Sequence, residues 1–218
     1  LRFDDKGSSS TSVPIDSSSH NRVVSVFREV RATGPEGEAI RDNDTSGRNR
    51  NIFKFGNQSW KFTGNSKDWK HLEINSLDFN WGSDEFCVEL WYYPTQMVGP
   101  NWQKLICNSH TNPATYNNEG FLLGISNENK LFCKTCGISD PNAIPGNVDI
   151  NSLLGPDMTP YMNRWNHIAV TRDNSGTGTV RLFLNGDIVA SHDMAGAAGP
   201  VLNNSPLRIG GYGNIENP

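Results

Sequence analysis

Apolar side chains recur at every second position in two short runs, residues 165–171 (WNHIAVT) and 180–184 (VRLFL). That is the spacing of half-buried strands. Between them Asp173-Asn174-Ser175-Gly176-Thr177-Gly178 is turn chemistry. Asn185-Gly186 then separates residues 180–184 from 188–191. Asn and Gly both tolerate positive φ, so this dipeptide between β-type runs predicts a two-residue hairpin. Residues 164–208 therefore read as a β-meander with its turns written in.

The same pattern predicts strands at 22–30, 52–55, 60–63, 71–74, 86–93, 103–107, 121–126 and 130–133. In 86–93, Phe86, Val88, Leu90 and Tyr92 share one face, and Cys87, Glu89, Trp91 and Tyr93 share the other. Both faces are largely apolar, which predicts a strand in the middle of a sandwich, with Glu89 a half-buried carboxylate that needs a partner. Residues 32–51 are polar and without a period, and read as a long surface loop. Residues 137–163, with Pro141, Pro145, Pro156 and Pro160, read as an inserted surface loop of the kind that carries function or lies against a neighbour. Helical periodicity is nearly absent. The expectation is an all-β chain forming a single domain over 1–218.

Composition narrows the partners. The chain has 218 residues and a formal net charge of -4, with no basic block, which argues against nucleic acid. It holds no run of 18 or more apolar residues, so membrane insertion is not expected. The first residue is Leu1, and the chain is expected to be a fragment of a longer one. Cys133-Lys134-Thr135-Cys136 is a CxxC, with Cys87 and Cys107 in other strand-like runs. A structural zinc site usually takes two such pairs, and a redox CxxC opens a helix. The favoured reading is small buried hydrophobes, or one or two disulfides.

Several segments resemble the laminin-G-like, concanavalin A-like jelly roll. Residues 165–173 (WNHIAVTRD) followed by 180–186 (VRLFLNG) are similar to its core signature W-x-H-I-A-V-T-R-D, turn, V-R-L-Y-V-N-G. Residues 84–94 (DEFCVELWYYP) resemble "FTIEFWVYP", 56–64 resemble "GxxSLxFDG", and 207–211 resemble the closing "LRIGG". Residues 1–4 and 16–21 resemble the family's first strand and the turn after it. The resemblance implies an all-β, two-sheet antiparallel jelly-roll sandwich. The chain stops before the family's usual last strand, which the resemblance places soon after "LRIGG". It also implies that His167 is a packing residue. This fold hosts lectins, adhesins, hydrolases and structural modules.

Catalysis is not expected. The β-glucanase branch carries E-x-D-x-x-E on one strand, whereas Asp84 and Glu85 are adjacent and would face opposite sides. G-x-S-x-G, H-x-x-x-H and H-E-x-x-H are absent. Asp42-Asn43-Asp44-Thr45-Ser46-Gly47 resembles the first half of a calcium loop, in which alternate oxygens and a glycine bend wrap a hard cation. Phe53 stands where a bidentate Glu is needed, and Arg48 and Arg50 oppose the charge. Asp68 matches an aspartate that in the family holds a turn or a structural calcium. With Asp16 it completes the candidate calcium set.

A sugar site needs an exposed ring beside Asn, Asp or Gln groups. Trp102 beside Gln103, Tyr116 beside Asn118, and Tyr161 beside Asn163 supply that mixture. The leading expectation is a carbohydrate- or receptor-binding adhesion module, extracellular, on a cell surface or a virion. The alternative is a decoration or fibre domain that contacts neighbouring protein chains without binding sugar.

Overall fold

The computed structural model describes residues 22–30, 47–49, 51–52, 54–55, 59–62, 68–75, 79, 81, 84–97, 103–108, 110–111, 118–135, 152–173, 178–193 and 206–210. Its strands are β1 (Val24–Val30), β2 (Gly47–Asn49), β3 (Ser59–Lys61), β4 (Asp68–Ile74), β5 (Phe86–Tyr92), β6 (Gln103–Cys107), β7 (His110–Thr111) and β8 (Asn118–Glu119). They continue with β9 (Phe121–Ile125), β10 (Lys130–Thr135), β11 (Ser152–Asp157), β12 (Asn166–Arg172), β13 (Val180–Leu184), β14 (Asp187–His192) and β15 (Leu207–Ile209). One turn of 3-10 helix spans Thr159–Tyr161. The chain divides into two compact units, Leu1–Ser76 with Pro206–Tyr212, and Leu77–Ser205 with Gly213–Pro218.

In the first unit β4 pairs antiparallel with both β1 and β15, setting Leu72 opposite Val26 and Ile209. β2 and β3 form a separate ribbon. Alternation along β4 buries Leu72 and Ile74. The remaining positions bring His71 and Glu73 to Arg208 of β15. Arg208 Nε donates to Glu73 Oε2 at 3.1 Å, and His71 Nε2 lies 3.6 Å from the same oxygen.

His71 is buried, and burial, reinforced by the Arg208 charge, holds its pKa below the ordinary 6.5 despite the pull of Glu73. The folded unit therefore prefers the neutral imidazole, while the unfolded chain takes up a proton below its own higher pKa. The stability that goes with the neutral form is fully present above 6.5 and is lost as pH falls through the folded value. Thermal melts between pH 8 and pH 5 should show this loss, and His71→Gln should flatten it. An unchanged slope in the variant would assign the acid sensitivity elsewhere.

The second unit is a sandwich of two antiparallel sheets. One runs β6–β9–β10–β11 and the other β14–β13–β12–β5. Their inner faces share one core: Phe86 and Val88 from β5, Ile168 and Val170 from β12, and Val180, Leu182 and Leu184 from β13 meet Leu105, Phe121, Leu123, Ile125, Leu131, Cys133 and Leu153. Trp81 stacks on Phe86 at 4.6 Å between centroids and sets its edge to Phe121. Tyr92, at the inner end of β5, donates its hydroxyl to Gln103 Oε1 at 2.8 Å, which ties the two sheets together. Burial pushes that phenol above its usual pKa, so it stays a donor.

Three expectations change. Residues 52, 54 and 55 form bends rather than a strand, with Lys54 and Phe55 exposed. The Ser59 hydroxyl donates to the Ile52 carbonyl at 2.6 Å, so a local side-chain bond takes an acceptor that a ladder would use. Within 137–163, expected to be an inserted loop, β11 pairs with β10 and buries Leu153. The Gly-Pro of this strand disguised it; β11 ends the strand order of its sheet, where a missing N–H is tolerated. Among the described cysteines, Cys107 and Cys133 are buried free thiols and Cys87 is an exposed one, so Cys87 is not the small buried hydrophobe expected for it.

Candidate functional site

The inner residues of β5 and β12 are buried, so their alternates must point away from the core. The ladder registers them in rows. Trp91 stands opposite His167, Glu89 opposite Ala169, and Cys87 opposite Thr171. On the far side of β12, Phe183 faces Ala169 and Arg181 faces Thr171. This outer face is open: Trp91 is 39% exposed and Ile188, opposite Phe183, is 58% exposed.

Trp91 and His167 form its most developed part. Their rings lie 5.0 Å apart at 46°. His167 Nε2 is 3.3 Å from Glu89 Oε2, whose side chain is 66% exposed. Glu89 is therefore a solvent-facing carboxylate with an imidazole partner, not the half-buried group the apolar pattern predicted. His167 likewise faces outward and lies against the Trp91 ring. With Asn185 and Gly186 these rings line an open hollow of about 320 Å³, at the small end of the ~300–1,000 Å³ typical of ligand sites.

The hollow has a rigid base. Asn185 and Gly186 adopt φ of 55° and 95°, the hairpin turn that their sequence predicts. The Asn185 N–H donates to the His167 carbonyl at 2.8 Å, and the His167 N–H donates back to Asn185 Oδ1 at 2.9 Å. Behind them, fully buried Asn166 donates from Nδ2 to the Tyr161 and Arg164 carbonyls, each at 2.9 Å, and accepts from Asn185 Nδ2 at 3.3 Å. One chain of amides thus fixes the hairpin, the backbone of His167 and the turn leading into β12. At the end of the sheet Tyr93 and Trp165, one position beyond Tyr92 and Asn166, meet edge to face at 5.4 Å.

Charge on this face is acidic or internally paired. Arg181 is joined to Asp173 in a short ion pair. Burial and the Glu89 carboxylate raise the Cys87 thiol above its ordinary pKa, which makes it a poor nucleophile at neutral pH.

Trp102, Tyr116, Asp16, Asp42 and Asp44 lie outside the described residues. Asn118 is in β8 opposite Thr111, and Asp68 is in β4 opposite Val30. Tyr161 is half-buried against the core, with the Arg164 guanidinium 4.8 Å over its ring. Among the described residues no three His, Cys, Asp or Glu come together as a metal cluster. Trp91 and His167 were visible in the sequence only as alternating strand positions. Their pairing rests on a register across 75 intervening residues of chain. Among the described residues no helix is long and apolar enough to cross a membrane.

The sequence profile of the Concanavalin A-like lectin/glucanases superfamily matches residues 69–217. No curated protein matches the chain. Among solved structures, the ligand binding domain of botulinum neurotoxin serotype D, in complex with N-acetylneuraminic acid, is 17% identical with a TM-score of 0.59, covering 93% of this chain and 41% of that one. The binding domain of Paraclostridial Mosquitocidal Protein 1 is 15% identical with a TM-score of 0.56, covering 92% and 42%. The CBM40 of the Ruminococcus gnavus IT-sialidase is 16% identical with a TM-score of 0.46, covering 61% and 67%. The chain spans about two fifths of the length of the first two.

Proposed function

The chain belongs to the Concanavalin A-like lectin/glucanases superfamily, and from that premise we propose that it is a non-catalytic carbohydrate-binding module whose ligand rests on the outer face of the β14–β13–β12–β5 sheet. The observation that carries this reading is the exposed Trp91 indole, backed by His167 and bordered by Glu89, over an open hollow. A pyranose offers a ring an apolar CH face and its surroundings a rim of hydroxyls. Trp91 supplies the first contact, and Glu89, His167 and the Asn185-Gly186 turn supply partners for the second. Two binding domains share the fold, and one of them was solved with a sugar acid; this agrees with the reading and does not carry it.

The same face argues against hydrolysis. A glycosidase needs two carboxylates across the scissile bond. Among the described outward positions of β5, β12 and β13 there is one, Glu89, and His167 engages it. Such a module serves attachment when displayed outside a cell or on a virion, and adhesion through a surface glycan is the role we assign it.

A glycan-array screen of the full chain tests this. Trp91→Ala should weaken binding by roughly tenfold to a hundredfold, the ~1.4–3 kcal/mol expected for an aromatic platform. It should leave the melting temperature nearly unchanged, because the ring is on the surface. Equal binding by the variant would remove Trp91 from the site. A parallel screen in EDTA reads the candidate calcium loop at Asp42 and Asp44.

A further inference from the structure

We propose that the ligand of this face is an uncharged oligosaccharide laid along β5 and β12, with one unit on Trp91 and His167 and the next against Tyr93 and Trp165. The inference rests on the carbohydrate reading above and goes further in two respects, length and charge.

Length follows from the row of rings. Trp91 and Tyr93 are two residues apart on β5 and its continuation, and His167 and Trp165 are two residues apart opposite them. Each pair is in contact, at 5.0 Å and 5.4 Å between centroids. Two residues of extended chain advance about 7 Å, so the second ring pair stands beside the first along the strand direction, where the next unit of a glycan chain would lie. Both pairs are held by the same base, because buried Asn166 sits between Trp165 and His167 and binds the turn before it. A site for one terminal sugar would need only the first pair.

Charge follows from the groups around the hollow. Glu89 is acidic and exposed. Among the described residues that border the face, Arg181 is committed to Asp173, Arg164 lies on the Tyr161 ring, and His167 is paired with Glu89. A carboxylate or sulfate placed on Trp91 would meet Glu89 first and would find no uncommitted cation among the described residues to answer it. Hydroxyl groups have no such penalty and can donate to Glu89.

The test is calorimetric titration of the full chain with uncharged oligosaccharides of glucose, galactose and N-acetylglucosamine, one to six units long, and with their sialylated counterparts. Affinity for the uncharged series should rise about tenfold or more from one unit to three and then level off. Trp165→Ala should return the longer ligands to the affinity of the single sugar, while Trp165→Phe, which keeps a ring, should retain most of the gain. Glu89→Gln should narrow the gap between uncharged and sialylated ligands. Affinity independent of length, or a Trp165→Ala variant that melts normally and still binds long ligands fully, overturns the second subsite. Sialylated ligands binding more tightly, with that binding lost in Trp91→Ala, overturn the charge assignment and leave the carbohydrate reading standing. Failure of the folded protein to bind any member of either series removes the carbohydrate reading and this inference with it.

Discussion

Asn166→Leu should lower the stability of the second unit by about 2–4 kcal/mol and its melting temperature by roughly 5–15 °C. The side chain is fully buried, and its amide answers three polar groups at once: the carbonyls of Tyr161 and Arg164 and the Nδ2 of Asn185. Leucine is close to it in size, so the loss is not a cavity. What remains is a pair of part-buried carbonyls that have lost this donor, each a partly desolvated group that cost water on folding. The effect extends to the binding face, since the same amide links the hairpin turn, and through it the His167 backbone, to the turn that carries Trp165. Glycan affinity should therefore fall along with stability. Asn185→Gly keeps the turn conformation and removes only the outer part of this link, and should cost about 1 kcal/mol. Chemical denaturation of the two variants checks the ranking. If Asn166→Leu is the milder of the two, the buried amide is not what fixes the site.

Gly124→Ala should destabilise the sandwich by about 2–3 kcal/mol, against the usual rule that alanine in a strand is better tolerated than glycine. Gly124 lies in the middle of β9, between Lys104 of β6 and Phe132 of β10. A β-carbon there would run into the Gln103 carbonyl oxygen and come within 2.9 Å of the Phe132 ring. The ring can turn aside, but the carbonyl is backbone in a neighbouring strand, so the clash is not relieved by a rotamer change. The β6–β9 register also shifts between Lys104 and Ile106, beside this contact, as expected where two backbones approach closely. Combining Gly124→Ala with Phe132→Leu should recover only part of the loss. Full recovery would assign the strain to the ring alone.

Much of the fold was legible because it is written locally. Asn185-Gly186 announces its turn through backbone preference, and φ is positive at both residues. The alternation in 86–93, 103–107, 121–126 and 180–184 marks strands within a residue or so of their ends. Segments where local chemistry ran the other way were misread. β11 carries Gly155 and Pro156 and became a strand because β10 offered it a ladder; residues 52–55 had β-type side chains, and 52, 54 and 55 form bends.

The site shows the boundary most clearly. The sequence by itself determined that β5 has two faces and which residues share each. It also determined that a tight turn follows β13, and that rings, amides and carboxylates are plentiful enough for a sugar site. Only the tertiary structure decided which face of β5 is covered. The two rows, Phe86-Val88-Leu90-Tyr92 and Cys87-Glu89-Trp91-Tyr93, are nearly equal in apolar content. Burial depends on whether a second sheet packs against a row, and the row itself does not encode that. The same holds for register: Trp91 meets His167, and Glu89 comes within an ion pair's reach of it, because β5 and β12 align at one offset among several. Periodicity is a property of a few neighbouring residues, whereas the choice of partner and offset is made by the whole core.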